Sequence, residues 1–331
     1  MKTNKLPKAL FDKCVEFGLL NKNSSFDCRK ITDGVSSDIW YVNSDEIEFC
    51  VKRALSKLAV KEDWFASIER NNFEANYFNV CKKVLPTSFP KILGHDEKKY
   101  ILAMEWFNEN NYILWKKKLL KKEISFSDAE NIAYILAKIH SSFFNKKEYE
   151  KKFLNDKTFF DIRIEPYIIF SSKSYPEYKS KFLDAANSLK INKSTLIHGD
   201  FSPKNILIGK KSPVILDAET ACWGDGIFDL AFCCNHLILK SILNRDKNKT
   251  YIIALDKFIN KYLTNLKIDK KNDFVIRFLN LIPILMLARV DGKSPVEYFN
   301  KSQKEHVRFI GKALLENPVT NLPELFNILY E

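Results

Sequence analysis

The sequence predicts an α+β protein with two unequal lobes: a small lobe of five antiparallel strands and one main helix, then a larger, mainly helical lobe. Three observations predict this fold. Short strand-like segments separated by turn residues dominate the chain before residue 105, and apolar residues mostly follow helical spacing after it. With only 9 Gly and 11 Pro in 331 residues, a long flexible linker is not expected. We place the two lobes at 1–104 and 105–331.

The small lobe is predicted to begin with a helix and to hold a second, longer helix between its third and fourth strands. Apolar spacing indicates these helices near 9–20 and over 64–84. Turn residues at 33–34 and 43–45 separate the first three strands. The predicted strands are 27–32, 38–43, 47–53, 91–93 and 100–104.

The large lobe is predicted to contain an amphipathic helix over 127–144, capped by Ser125 or Ser127. A β-like core over 195–217 follows, and the remaining chain is mostly helical in pattern. The most apolar stretch, 274–290, is interrupted by charged and polar residues and by a proline. We therefore interpret it as a buried helix and not as a membrane span.

Composition argues against several classes of function. The net charge is +12, but the lysines lie in short runs without the interleaved aromatic residues that stack on nucleic-acid bases. We interpret them as solvated surface and expect neither a nucleic-acid nor a membrane partner. The seven cysteines form no C-x-x-C pair, which disfavours a zinc site and a disulfide framework. Reduced thiols and the lack of an apolar secretory segment predict a cytoplasmic protein.

The segment HGDFSPKN, which we call the catalytic loop, carries the strongest chemical signal. Its spacing, H-x-D-x-x-x-x-N, lies between two apolar runs that predict buried strands. In phosphoryl-transfer enzymes, a carboxylate at this place accepts the proton of the attacking hydroxyl, and an amide five residues later binds magnesium. We predict Asp200 as the catalytic base and Asn205 as a magnesium ligand. Lys204 either stabilises the transferred phosphate or faces solvent.

A second carboxylate follows a short apolar run. Residues 214–216 predict a buried strand that ends at Asp217. A carboxylate at the end of a core strand can hold magnesium against nucleotide phosphates, whereas the alternative is a turn aspartate. With Asp200 and Asn205 nearby in sequence, we predict Asp217 as a metal ligand. Glu219 is either a further metal contact or a structural acceptor.

A strand lysine completes the predicted nucleotide site. Lys52 ends an apolar strand, and a lysine there can contact the α- and β-phosphates when a helix glutamate orients it. We predict Glu74 as that partner because its neighbours are apolar, and Glu69 is the alternative. ATP is expected between the lobes, with the adenine near residues 104–107. Further contacts with ATP are predicted from Gly34, Ser36, Ser37, Met104, Glu105 and Phe107.

Together these segments resemble the family of aminoglycoside phosphotransferases, choline kinases and 5-methylthioribose kinases, over residues 29–235 and more faintly to 300. HGDFSPKNILI resembles the family's catalytic loop, and LDAET its metal-binding strand end. In GDGIFDLAF, Asp229 would brace the catalytic loop, and in AKIH, His140 would be structural. The resemblance implies a bilobal protein-kinase-like fold, ATP and Mg²⁺ as cofactors, and phosphorylation of a hydroxyl group on a small molecule.

Several segments look closest to 5-methylthioribose kinases, among them ITDGVSSDIWYV, DAETACWGDGIFDLA and ARVDGKSPV. The last resembles a segment whose arginine contacts the sugar, a role that would fall on Arg289. Two features depart from that pattern. Ala288 stands where an arginine is expected, and the catalytic loop has Pro203 and Asn205, as in the antibiotic kinases. The acceptor is therefore expected to be a methylthioribose-type sugar, or alternatively an aminoglycoside- or choline-type molecule.

Two further alternatives concern the class of protein. A protein kinase would need an activation segment after the metal aspartate, yet an apolar helix is predicted from about residue 229. A non-catalytic nucleotide-binding regulatory module should have lost at least one predicted catalytic group. The four groups in question are all present: Lys52, Asp200, Asn205 and Asp217. We expect a small-molecule substrate and either a monomer or a homodimer.

Overall fold

The structure, a computed structural model, describes residues 5–23, 25–32, 36–57, 65–269 and 271–330. The predicted turn at 33–34, with Gly34, and the first residue of the helix predicted over 64–84 lie outside these ranges.

The small lobe consists of a five-stranded antiparallel sheet and two helices in the described chain. Its elements are α1 Lys8–Glu16, β1 Phe26–Ile31, β2 Ser37–Ser44, β3 Glu48–Ala54, α2 Arg70–Val84, β4 Ile92–Asp96 and β5 Ile101–Glu105. The strand order β1-β2-β3-β5-β4 places β3 in the centre. The register pairs Lys52 with Leu102 on β5 and with Ile39 on β2, so Lys52 stands in the middle of the sheet. This confirms the predicted α+β small lobe.

Both helices of the small lobe are shorter than predicted. The first, predicted near 9–20, ends at Glu16 because Gly18 adopts a left-handed φ of 71°. The N–H groups of Gly18 and Leu19 then bond the carbonyl groups of Val15 and Cys14 and close the helix end. The second begins at Arg70 because that side chain folds back onto the carbonyl groups of the preceding turn.

The large lobe is mainly helical, as predicted, with short strands that carry the functional loops. Its elements are β6 Tyr112–Leu114, α3 Trp115–Leu120, α4 Phe126–Phe143, α5 Lys147–Glu150, α6 Asp156–Phe159, a π-helix Phe160–Ile169, α7 Lys179–Ile191, β7 Thr195–Ile197, β8 Ile206–Gly209, β9 Val214–Ile215, β10 Cys222–Gly224, α8 Ile227–Leu243, α9 Asn248–Asn265, α10 Lys271–Asp291, α11 Lys301–Glu316 and α12 Leu322–Tyr330. Short 3₁₀ turns lie at Ser171–Ser174, Pro176–Tyr178, Pro203–Asn205 and Arg245–Lys247.

The centre of the large lobe is formed by α4, α8, α9 and α10, which bury their apolar faces against one another. Ser125 caps α4 by accepting from the N–H of Asp128, which settles the choice between Ser125 and Ser127. The stretch 274–290 lies within α10, and its Pro283 is buried. This burial accounts for the strongly apolar composition of the stretch.

No helix in the described part of the chain is, by itself, long and apolar enough to cross a membrane. The consecutive helical segments Ile227–Leu243 and Arg245–Asn265 meet that criterion only as a pair, by length and composition, and they are bent by 110°.

Two small sheets position the catalytic loop. β7 pairs with β10 and leads directly into His198, while β8 pairs with both β6 and β9. The N–H of Leu216 donates to the carbonyl oxygen of Asn205 at 2.9 Å. The catalytic loop and the segment that contains Asp217 are therefore held side by side.

Candidate active site

The catalytic loop is braced by one buried carboxylate. Asp229, in the first turn of α8, accepts hydrogen bonds from the backbone N–H groups of His198 (2.6 Å) and Gly199 (2.8 Å). His140 Nε2 lies 3.3 Å from the same carboxylate. Gly199 has a φ of 74°, and a Cβ there would approach the carbonyl oxygen of Thr220 to 2.6 Å. Only glycine fits this position, and both Asp229 and His140 support the loop, as the resemblance implied.

Asp200 lies in this loop with 3% of its surface exposed. Its Oδ2 contacts Arg163 Nη2 at 3.0 Å, Lys204 Nζ at 2.9 Å and Asn205 Nδ2 at 2.9 Å. No residue in the described part of the chain bonds its Oδ1, so that oxygen is available to accept a proton. Burial alone would raise the pKa of Asp200, but the charges of Arg163 and Lys204 outweigh burial and lower that pKa. Asp200 is thus held as an anion.

Arg163 is a site residue that the sequence interpretation missed. It lies on the π-helix, and its Nε donates to the carbonyl oxygen of Gly199 at 2.6 Å while Nη2 contacts Asp200. The rings of Tyr167 and Phe232 lie 5.9 and 5.8 Å from its guanidinium carbon. A signal was present in the sequence, because an arginine inside the apolar run FFDIRIEPYIIF is rarely buried without a partner.

Lys52 joins the small lobe to the segment that contains Asp217. Its ammonium lies 2.7 Å from Glu74 on α2 and 3.0 Å from Asp217. Burial alone would lower the pKa of Lys52, but Glu74 and Asp217 outweigh burial and raise it, so Lys52 stays charged. The structure brings together Lys52 and Glu74, whereas Glu69 is exposed and precedes the first residue of α2.

Asn205 and Asp217 both have side-chain oxygen atoms, and a backbone hydrogen bond from Leu216 to Asn205 holds their segments together. The amide nitrogen of Asn205 is used by Asp200, and no described group donates to its amide oxygen. Asp217 has a left-handed φ of 61°, a strained conformation that is typical of functional positions. Burial would raise the pKa of Asp217, but Lys52 and Lys204 outweigh burial and lower it.

These two side chains fit a magnesium ion that is also bound by phosphates. Mg²⁺ prefers oxygen ligands and, in nucleotide sites, commonly uses one or two protein groups together with phosphate oxygens and water. Within the ranges that the structure describes, no group of three or more His, Cys, Asp or Glu residues could hold a metal by itself. Phosphate oxygens would therefore have to complete the coordination.

The predicted ATP contacts of the small lobe are only partly available. The Ser37 hydroxyl is buried and has no hydrogen-bond partner among the described residues, whereas the carbonyl of Ser36 accepts from Arg70 and from Leu55 N–H. At the boundary between the lobes, the N–H of Glu105 donates to the carbonyl oxygen of Lys91, and the Glu105 carboxylate accepts from the N–H of Lys91. The backbone N–H of Glu105 is therefore not free for an adenine ring. Nearby, Met104 is buried, and the ring of Phe107 packs on Tyr112 at 4.9 Å.

Arg70 is a second residue that the sequence interpretation missed. It is fully buried, and its Nε lies 3.0 Å from Glu219, which gives Glu219 a structural ion pair. The other guanidinium nitrogens donate to four backbone carbonyl groups, those of Ser36, Leu55 (2.6 Å), Ala66 (3.1 Å) and Ser67 (2.7 Å). Arg70 thus connects Ser36, Leu55 and the start of α2 to the segment that contains Asp217 and Glu219.

Replacing Arg70 by methionine is expected to reduce the free energy of unfolding by about 3–5 kcal/mol, because it leaves a buried carboxylate without its partner. The matched control is Arg53→Met, which removes a partly exposed contact with Asp38 at 3.5 Å and should cost under about 1 kcal/mol. Urea unfolding followed by tryptophan fluorescence measures both. Equal losses in the two variants would contradict the role of Arg70.

Arg289, the predicted substrate contact, lies on α10 near the base. Its Nη1 is 3.2 Å from the Tyr167 hydroxyl and 2.9 Å from the Ser294 hydroxyl, and its Nε is buried without a partner in the described chain. Tyr167 links it to Arg163 and hence to Asp200. The structure thus joins Lys52, Glu74 and Asp217 in one ion-paired group, and it joins Asp200 to Asn205 directly and to Arg289 through Arg163 and Tyr167. Gly34 lies outside the described residues.

This chain is similar in sequence to known proteins. The profile of the phosphotransferase enzyme family (APH) matches residues 27–244. The methylthioribose kinase of Bacillus cereus strain AH820 is 23% identical over 261 residues, which cover 71% of this chain and 66% of that protein. The chain thus spans about two thirds of the length of this curated relative.

Two solved structures share the fold. A choline kinase from Cryptosporidium parvum superposes with a TM-score of 0.58 at 13% identity, covering 97% of this chain and 99% of its own. A choline/ethanolamine kinase family protein from Mesorhizobium loti gives a TM-score of 0.54 at 12% identity, covering 98% of both chains. These likenesses confirm the predicted bilobal fold.

Proposed function

We propose, from the premise that this chain belongs to the phosphotransferase enzyme family, that it is an ATP- and Mg²⁺-dependent kinase that phosphorylates a hydroxyl of a small molecule. One observation carries the proposal. A buried aspartate anion, Asp200, keeps one oxygen free and shares its surroundings with the ion-paired Lys52 and Asp217.

Side chains from both lobes have separate roles in the proposed phosphoryl transfer. Lys52, oriented by Glu74, binds the α- and β-phosphates of ATP. Asn205 and Asp217 hold Mg²⁺, which would neutralise charge on the transferring phosphate. Lys204, whose Nζ lies 2.9 Å from Asp200, would stabilise negative charge on the transferred phosphate.

Asp200 acts on the acceptor. Its free Oδ1 accepts the hydroxyl proton as the acceptor oxygen forms a bond to the γ-phosphorus, and the bond to the bridging oxygen of ATP breaks to release ADP. Arg163 keeps the carboxylate in place through Oδ2 and through the backbone of Gly199. Transfer of this kind requires positioning and charge compensation rather than a covalent enzyme intermediate.

The finer identity of the acceptor is proposed from the relatives. Matches to methylthioribose kinases favour a pentose-type sugar hydroxyl, with Arg289 as one contact. A screen for ADP release tests the proposal, with Mg²⁺ and ATP and with methylthioribose, ribose, choline, ethanolamine or an aminoglycoside as acceptor. Acceptor-dependent ADP release is the expected result. Binding of Mg²⁺-ATP without turnover on any hydroxyl compound would favour the non-catalytic regulatory module instead.

A further inference from the structure

Three cationic side chains of the large lobe, with one half-buried imidazole beside them, form what we call the basic cluster: Lys240, Arg289, the exposed Lys116 and His236. We infer that the phosphate acceptor carries an anionic group, a carboxylate or a phosphate, that binds to the basic cluster. The inference rests on the proposed kinase function, since it names the acceptor class of that same site.

Lys240 is a buried lysine without a carboxylate partner in the described chain. It lies on α8 with 1% of its surface exposed. Among described residues, its Nζ contacts only the carbonyl oxygen of His236, at 3.4 Å, and the ring of Tyr298, at 5.6 Å. Burial, together with the charges of Lys116 and Arg289, lowers the pKa of Lys240 to about 7. An unpaired buried charge is costly, and a bound anion would remove that cost.

Other donors of the same region also lack partners. The Nε of Arg289 and the hydroxyl of Tyr298 are both buried without a hydrogen-bond partner in the described chain. Buried polar atoms in native proteins are nearly always satisfied, so orphaned donors next to an orphaned ammonium indicate a missing acceptor. A carboxylate or phosphate offers several acceptor oxygens to such donors.

The carboxylates on the neighbouring elements are engaged elsewhere. Asp229 of α8 accepts from the catalytic loop. Asp291, at the end of α10, pairs with Arg308, and Glu165 of the π-helix pairs with Lys293. The charge of the basic cluster is therefore not compensated by the acids of the elements around it.

The basic cluster adjoins the catalytic base through two aromatic rings. The Tyr167 hydroxyl oxygen accepts from Arg289 Nη1 at 3.2 Å, and the Tyr167 ring lies next to Arg163, which contacts Asp200. The ring of Phe232 lies 5.4 Å from Tyr167 and 5.3 Å from His236.

The position of the basic cluster also indicates whether ATP or the acceptor would bind to it. Its four members belong to the large lobe, whereas Lys52, which is proposed to bind nucleotide phosphates, stands on the sheet of the small lobe. Arg289 is joined to the catalytic base by Tyr167 and Arg163, and no contact among the described residues joins Arg289 itself to the pair of Lys52 and Asp217. We therefore assign an anion at the basic cluster to the acceptor and not to ATP.

This charge arrangement separates acceptor classes. Choline and aminoglycosides are cations, and like charges brought together in a poorly solvated pocket repel. A sugar or polyol with a carboxylate or phosphate fits both the hydroxyl-accepting Asp200 and the basic cluster. A neutral sugar would leave the Lys240 ammonium unpaired and is expected to be a weaker substrate.

Anion binding can be measured without turnover. Calorimetric titration of the protein, saturated with Mg²⁺-ADP, uses inorganic phosphate in one arm and acetate in the other, so that the two anion chemistries are distinguished. Saturable binding of at least one anion is expected. Lys240→Met, which keeps the length of the side chain and removes the charge, should weaken it about 10–100-fold. The control Lys261→Met changes an exposed lysine on α9 and should leave binding unchanged.

The outcomes separate this inference from the kinase proposal. Absence of anion binding, or equal binding by Lys240→Met, would overturn the inference whatever the catalytic result. Anion binding without phosphorylation of any hydroxyl compound would instead contradict the kinase proposal. If Lys240→Met does not fold, Arg289→Met, which removes the other cation that has a buried donor without a partner in the described chain, replaces it, with the same expected loss and the same overturning result.

Matched substrates supply the second readout. Ribose 5-phosphate with ribose, and gluconate with glucose, are pairs that share hydroxyl groups and differ in the anionic group. A higher kcat/KM, by about 10-fold or more, is expected for an anionic member, with the preference lost in Lys240→Met. Equal or greater kcat/KM for the neutral members would overturn the inference.

Discussion

The Asp200→Asn variant is expected to lose about 10²–10⁴-fold of kcat while its affinity for ATP stays nearly unchanged. Asparagine keeps the shape of the side chain and can still bond the groups around Oδ2, but it cannot take up the hydroxyl proton. ATP is proposed to bind through Lys52 and the metal ligands, which this substitution does not remove. Steady-state kinetics, with calorimetry for ATP binding, measure the two quantities separately.

The matched control is Asp184→Asn, which removes a carboxylate on the exposed face of α7 and should leave kcat unchanged. Thermal unfolding of both variants checks that the fold is retained. If Asp200→Asn kept full turnover, Asp200 would not be the base, and the assignment of the catalytic loop would be wrong.

Lys52→Met is expected to have the second large effect, a loss of about 10²–10³-fold in kcat, because it removes a fixed charge from the phosphates. It also leaves Glu74 buried without its cation, which should reduce the free energy of unfolding by about 3–5 kcal/mol. Coupled-enzyme kinetics and urea unfolding measure the two losses, and Lys99→Met, at an exposed turn, is the control for both.

A double variant distinguishes the two roles of this lysine. Lys52→Met combined with Glu74→Gln removes both charges of the buried pair, so part of the lost stability should return while kcat stays low. Recovery of activity together with stability would show that Lys52 acts only in folding. It would contradict phosphate binding by this side chain.

The sequence was sufficient for the order of elements in the small lobe because local patterns determine it. The five strands of the small sheet, with α2 between β3 and β4, appear in the predicted order. Helix ends were predicted less well because they depend on contacts distant in sequence. The start of α2, for example, is determined by Arg70, whose partners include Leu55 and Glu219.

At the site, the sequence indicated the residues that belong to a motif of fixed spacing. It did not indicate the residues that only the fold brings to the site. Asp200 and Asn205 share one loop, so their spacing alone indicated their chemistry. Arg163 lies on a π-helix outside any motif, and Lys240 lies in the interior of α8, where only burial without a partner makes it noticeable. Both depend on long-range packing, which a spacing pattern does not record.

Phosphorus NMR of a single reaction mixture tests the central claim most directly, namely that Asp200 assists transfer of the γ-phosphate to a small-molecule hydroxyl. The mixture contains Mg²⁺, ATP, the protein and the best acceptor from the screen. The predicted result is a phosphomonoester signal that grows in step with ADP and is nearly absent with Asp200→Asn. ADP accompanied only by inorganic phosphate, or a phosphomonoester formed equally well by Asp200→Asn, would contradict it.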